Sequence, residues 1–379
     1  MKAGLACVLA VLVALGPARA ETLRIATYNA ALSRAGPGVL LKDLRAGKDP
    51  RIGHVAEVIR LARPDILLLN EIDYDGGLAA LTALRDLLAE GPDGVEYPHL
   101  FAAPSNTGLP SGLDLDRDGT TTGPRDAWGY GNFPGQYAMA VLSRHPIDAK
   151  ASRTFRNLPW ADLPGAERPL DADGEPYPSA LAHRTLPLSS KSHWDLIVKT
   201  PEGPLHLYAS HPTPPVFDGP EDMNGLRNRD EIRFWLAYLD GWAPVDDQGR
   251  RMRRTDAPFV VLGDLNADPQ DGDGRREAVQ ALLSHPALQD PAPRSRGAGI
   301  AARAQGGPND DHSGLAALDT ADWREDGGPG NMRVDYVLPA TTLQVEAAGV
   351  FWPPPGEAGH EAAEEASDHR LVWVDIRWP

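Results

Sequence analysis

The chain has 379 residues, with 53 Asp and Glu against 37 Lys and Arg, and a formal net charge of −16. That balance argues against broad, charge-driven nucleic-acid binding, which needs Lys and Arg to replace the counterions of the phosphate backbone. A single cysteine excludes a disulfide framework and a thiolate metal cage, so the core must stabilise the fold alone.

In chain order, residues 1–20 read as a secretory signal. Lys2 is followed by the apolar run Leu5 to Leu15, and Ala18-Arg19-Ala20 precedes Glu21 as a small-x-small cleavage site. The run is too short to span a membrane, and no later segment approaches a spanning length. Cys7 lies inside the signal, with Gly4 where a lipid-attachment box expects Leu. Cleavage removes Lys2 and Arg19 and no acid, so −16 becomes −18. The mature protein, residues 21–379, is expected in the periplasm or outside the cell.

Short apolar runs then end in polar groups. TLRIATYNA ends near Asn29, and DILLLNEI delivers Asn70 and Glu71. LHLYASHP delivers His211, and FVVLGDLN delivers Asp264 and Asn266. VDYVLP carries Asp335, and SDHRLVWVDI opens with Asp368 and His369. Such runs fit buried strands. Along strand alternation Asp264 and Asn266 share one face, Leu265 points into the core, and Gly263 allows close packing. Asn70 reads as a strand-end structural residue and Asp268, before Pro269, as a turn. His54, His145, His183, His193 and His206 read as structural or solvated. The segments IGHVAEVIRLA, LAALTALRDLLA, NRDEIRFWLAYLD and RREAVQALLSH have helical periodicity. Helices alternate with strands, so the class is α/β in one domain.

Three stretches have loop composition: 103–136, 156–193 and 291–331. Within the first, Asp114, Asp116 and Asp118 match the first half of an EF-hand loop. Arg125 occupies the twelfth position and no helix pattern flanks it, so an EF-hand is rejected; a simpler structural Ca²⁺ turn stays open beside a plain solvated one. Asp271-Gly272-Asp273-Gly274 and the basic run 250–254 read as solvated turns and loop. After His211, Asn224, Arg227 and Asn228 precede the predicted helix. Arg227 and Asn228 are candidate phosphate ligands at a helix start; the other reading is an Asn228 helix cap with a surface Arg227.

Oxygen ligands such as Glu71 suit a hard cation, Mg²⁺ or Mn²⁺. There is no HExxH, GxSxG or Walker motif. TYNA, LNEI, YASHP, GDLNADP, RVDYVL and SDHRLV, in that order, resemble the six motifs of the endonuclease/exonuclease/phosphatase superfamily across essentially the whole mature chain. HPxPP and RNxDE runs also resemble those of an exported bacterial subgroup. The resemblance implies two packed, mostly antiparallel β-sheets flanked by helices, a four-layer α/β sandwich. It implies Glu71 as central metal ligand with Asn29 and Asp368, and His369 oriented by Asp335. Asp264 orients or deprotonates the attacking water. Asn266 and His211 donate to the phosphate, and His211 protonates the leaving oxygen. The base role stays open between Asp264 and His369.

The expected activity is exported, divalent-metal-dependent hydrolysis of a phosphate ester, small or lipid-borne given the acidic chain. The alternative is a secreted nuclease cleaving DNA or RNA. A non-catalytic binding module predicts a missing catalytic side chain, and none of the six motifs lacks one. Oligomeric state is not legible.

Overall fold

Alternation along the strands builds the frame. In β1 (Leu23–Asn29), Leu23 and Ile25 face one way and Ala26 and Tyr28 the other, each set buried. The same two-sided burial marks β2 (Ile66–Ile72) and β8 (Phe259–Asp264). A strand buried on both faces must lie between two layers. The structure, a computed structural model, describes residues 22–323 and 327–379; the signal sequence assigned to 1–20 lies outside them.

The first sheet has six strands in the order β12-β13-β1-β2-β4-β3, adding β3 (His99–Phe101), β4 (Ala138–Ser143), β12 (Gln344–Val350) and β13 (Val372–Arg377). The second has the order β11-β8-β7-β6-β5, adding β5 (Arg153–Thr154), β6 (His193–Thr200), β7 (Gly203–Ser210) and β11 (Asp335–Pro339). Each sheet is antiparallel except for one parallel pair, β1 with β2 and β7 with β8. Ile25, Leu68, Trp194, Leu207, Leu262, Val337 and Val374 fill the seam between the sheets. Helices Pro50–Ala62 and Ala79–Ala89 cover the outer face of the first sheet; Met223–Leu239 and Arg276–Leu283 cover that of the second. This is the expected four-layer α/β sandwich.

Two expectations need correction. The stretches 156–193 and 291–331 are not all loop: Ser179 Oγ accepts Ala182 N and caps the short helix Ala180–Thr185, Ser295 Oγ accepts Ala298 N and caps the helix Arg296–Gln305, and β9 (Ala321–Trp323) pairs with β10 (Gly330–Met332). Asp271 is not a solvated turn residue. It is buried, and its carboxylate accepts Ser313 N at 2.8 Å and Gly314 N at 2.9 Å, tying that stretch to the turn after β8.

His193, at the start of β6, is a structural histidine. Its Nδ1 lies 2.6 Å from Ser189 Oγ and its Nε2 2.8 Å from Glu231 O, with Phe234 and Trp235 against the ring. Burial lowers its pKa from 6.5 to about 4. Between these values the unfolded chain takes up a proton that the folded chain refuses. Stability contributed by neutral His193 is complete above about 6.5 and is lost as pH falls towards 4, about 3 kcal/mol in all. Urea unfolding at pH 7 and pH 4.5 should show this component in the wild type and not in His193→Gln.

Candidate active site

The two parallel pairs carry their C-terminal ends to one edge of the seam. Asn29 ends β1 and is in register with Asn70 on β2. His211 follows β7, Asp264 ends β8, and Asp335 begins β11 in register with Asp264. Asn29, Asp264 and Asp335 each continue the seam-facing set of their strand, which explains their meeting across it. Asn29 Nδ2 donates to Asp264 Oδ2 at 3.0 Å, bridging the sheets. Gly263 supplies the close approach: at φ +147°, a Cβ there would sit 1.9 Å from Ser210 O.

Asp264 Oδ2 is the hub. His211 Nε2 lies 3.3 Å from it and His369 Nε2 3.7 Å. His369 Nδ1 is 2.9 Å from Asp335 Oδ2, which also accepts Thr320 Oγ1 at 2.8 Å. Burial alone would raise the Asp264 pKa, but His369, His211 and the Asn29 amide outweigh it and hold the carboxyl below the usual range. Burial pushes Asp335 up to about 6 against the pull of His369. His369 is itself disfavoured as a cation by burial, yet Asp335 and Asp264 raise its pKa well above 6.5. Burial and the charge of Lys191 lower that of His211, whose buried Nδ1 has no hydrogen-bond partner among the described residues.

Asn266 reaches the site by a route other than alternation. Strand β8 stops at Asp264, and Asn266 sits at φ +50° in a turn. Its N–H caps Asp264 Oδ1 at 2.9 Å, its Nδ2 donates to Pro212 O at 3.1 Å, and Leu265 is buried in the helix-side core. Asn70 donates to Thr27 Oγ1 within the first sheet, a structural role. Asp268 accepts Gln270 N and Asp271 N in its turn and Arg333 N besides.

Glu71 is set apart by its backbone. A bulge lies between Asn70 and Ile72, and Glu71 has φ +58°, where an L-residue is strained. The bulge releases its side chain from the alternation that would send it under the helices. Its half-buried carboxylate makes no hydrogen bond or ion pair among the described residues, and it lines an open groove. Asp368 is exposed, and Ser367 Oγ joins it to Asn29, donating to Asn29 O at 2.7 Å. Glu71 follows Asn70, the register partner of Asn29, and Asp368 follows Ser367, which bonds Asn29; oxygen donors of this kind suit a hard cation. Asp264, Asp335 and His369 also lie close enough to share an ion, but they already bond one another and read as a proton network.

The structure redirects Arg227 and Asn228. The helix begins at Met223, so neither precedes it, and Asn228 is not its cap. Arg227 is buried and donates to the carbonyls of Leu188, Pro187 and Trp128; Asn228 Nδ2 donates to those of Thr213 and Leu265. These donors bind backbone and pin the loops to the helix, although Arg227 still touches the groove. The carboxylates of Asp114, Asp116 and Asp118 do gather. One oxygen of each accepts an N–H group of the same turn: Asp114 Oδ2 from Gly119, Asp116 Oδ1 from Asp118 and Asp118 Oδ1 from Thr120.

The groove, about 920 Å³, runs from Glu71 and Lys191 between the stretches 103–136, 156–193 and 213–224. Tyr130, Tyr137, Tyr177, Val216 and Phe217 line it, with Phe217 80% exposed. Sequence reasoning missed Lys191 and the buried Glu231. Glu231 accepts Ser190 N at 2.7 Å and Thr213 N at 2.7 Å and so braces both walls. No motif surrounds Lys191, and Glu231 closes the RNxDE run, in which only Arg227 and Asn228 were singled out.

The family model described as "Endonuclease/Exonuclease/phosphatase family" matches residues 26–369. No curated protein matches. Among solved structures, an endonuclease/exonuclease/phosphatase from Beutenbergia cavernae is similar at 21% identity and TM-score 0.50, covering 95% of this chain and 72% of that one. A family protein from Leptotrichia buccalis is similar at 15% identity and TM-score 0.50, covering 94% and 100%. Sphingomyelinase C from Streptomyces griseocarneus is similar at 15% identity and TM-score 0.47, covering 94% and 99%.

Proposed function

Because the chain belongs to the endonuclease/exonuclease/phosphatase family, hydrolases acting on phosphate esters with a divalent metal, we propose that it is an exported hydrolase of a small or lipid-borne phosphoester, using Mg²⁺ or Mn²⁺. Glu71, Asp368 and Asn29 would hold the ion, which when bound polarises the phosphoryl group and offsets its developing charge. Asp264, a carboxylate kept below its usual pKa, is a weak base; this supports it as the group that orients the attacking water. Asp335 fixes the His369 ring and keeps it charged beside the phosphate. Neutral His211 and the Asn266 amide are suited to hydrogen-bond the phosphate and the leaving oxygen. At Asp114, Asp116 and Asp118 a structural Ca²⁺ turn stays the alternative to a plain solvated turn.

The observation that carries the substrate class is the groove. Its aromatic and apolar lining suits one organic substituent, and Asp116, Asp218 and Glu221 offset the cations Arg125, Lys191 and Arg227 along it, so the groove is no basic track for a long polyanion. Purified mature protein should hydrolyse members of a panel of small and lipid phosphoesters, and EDTA should abolish the activity. DNA or RNA cleavage that weakens steeply as salt rises, with no turnover of the panel, would instead establish the secreted nuclease.

A further inference from the structure

Lys191 is placed unlike the other cations of the groove. It is 6% exposed, and its Nζ donates to one acceptor among the described residues, Pro212 O, at 3.3 Å. An ammonium has three donors, and burying it beside a single neutral oxygen is costly. Glu231, Glu71 and Asp264 act on its charge from a distance, and none forms an ion pair with it among the described residues. Arg227 spends its donors on three carbonyls, as a structural cation does. Lys191 does not, and it faces the groove beside Glu71.

Its position is fixed from several sides. Asn106 N donates to Lys191 O at 3.0 Å, and Glu231 takes the N–H of Ser190. The loop at Gly129 packs so closely that a Cβ there would lie 1.9 Å from Ser190 O. Pro212 O, the acceptor of Lys191, is also the acceptor of Asn266 Nδ2. One carbonyl next to His211 therefore gathers the ammonium and the Asn266 amide at the same point.

We propose that Lys191 binds a non-bridging phosphoryl oxygen, its ammonium held by Pro212 O and directed into the groove beside Glu71. The proposal rests on the phosphoester reading and adds to it a binding residue outside the six motifs. It explains why a poorly paired cation is kept in a buried place: the substrate oxygen completes its hydrogen bonds.

The test is calorimetric titration of the full mature chain with inorganic phosphate in EDTA, for wild type, K191M, K191R and K199M. Lys199 is an exposed lysine paired with Asp148 on the far part of β6. Phosphate affinity should fall roughly ten- to a hundredfold in K191M, as for loss of a charge-assisted hydrogen bond. It should largely return in K191R and stay unchanged in K199M, with the thermal midpoint of K191M preserved. Equal phosphate affinity in K191M and wild type, or no phosphate binding by the wild type, overturns the proposal. If K191M does not fold, K191Q is read in its place; failure of both assigns Lys191 to structure and overturns it too. The two readings separate cleanly. Phosphate binding lost in K191M with no ester hydrolysed by the wild type rejects the hydrolase alone. Hydrolysis with kcat/KM unchanged in K191M rejects the Lys191 assignment alone.

Discussion

Asp264→Asn should lower kcat by about 10²- to 10⁴-fold, the usual worth of a positioned acid–base group. The substitution is nearly isosteric, so the argument rests on donors and charge. Oδ2 faces Asn29 Nδ2, His211 Nε2 and His369 Nε2, while Oδ1 accepts the N–H of Asn266. An amide has one oxygen. If its NH₂ takes the Oδ2 place it confronts the Asn29 donor and the two rings; if it turns, it confronts Asn266 N–H. Either way a buried donor is left without an acceptor, which costs about 1–3 kcal/mol. His369 also loses one of the two carboxylates that keep it charged. Steady-state kinetics on whichever ester of the panel is turned over, with thermal unfolding alongside, checks both parts. A kcat within a few-fold of wild type in a folded variant removes Asp264 from the reaction.

How far this was legible depends on the device that places each residue. Asn29, Asp264 and Asp335 are carried by strand alternation, a period visible in the sequence, so their convergence could be anticipated. Asn266 was expected on the same alternation, yet a left-handed turn delivers it, and a local backbone choice of that kind leaves no periodic trace. The helix start was placed too late. Arg227, Asn228, Asp230 and Glu231 are buried polar residues that bond loops, so the first turns lack the apolar stripe that marks a helix. Lys191 lies in the run Ser189 to Ser192, where nothing local announces it. Its meaning comes from Pro212 and Asn106, far away in the chain. Helix Arg296–Gln305 was hidden because Gly and Ala dominate it and its composition resembles a loop.

The second large effect separates function from stability at Glu71. Its φ of +58° costs an L-residue about 1–2 kcal/mol, while its carboxylate forms no bond to the described residues that would offset this. Strain held at an unpaired acidic group is understandable when the group has a task. Glu71→Gly removes both the strain and the ligand. Glycine enters left-handed backbone freely, so the variant should unfold at an equal or higher temperature than the wild type, despite the greater freedom of its unfolded chain. It should nevertheless lose Mn²⁺ binding measured by calorimetry, with hydrolysis falling at least about a hundredfold through the lost metal chemistry. Glu71→Gln keeps the side chain and the strained backbone but not the charge. It should therefore show the wild-type midpoint with the same loss of Mn²⁺ affinity. The pair tells the two roles apart: a structural Glu71 would give a lower midpoint in both variants and leave ion binding intact. If Glu71→Gly binds Mn²⁺ as the wild type does, the ion belongs elsewhere, and the Asp264, Asp335 and His369 group becomes the place to look.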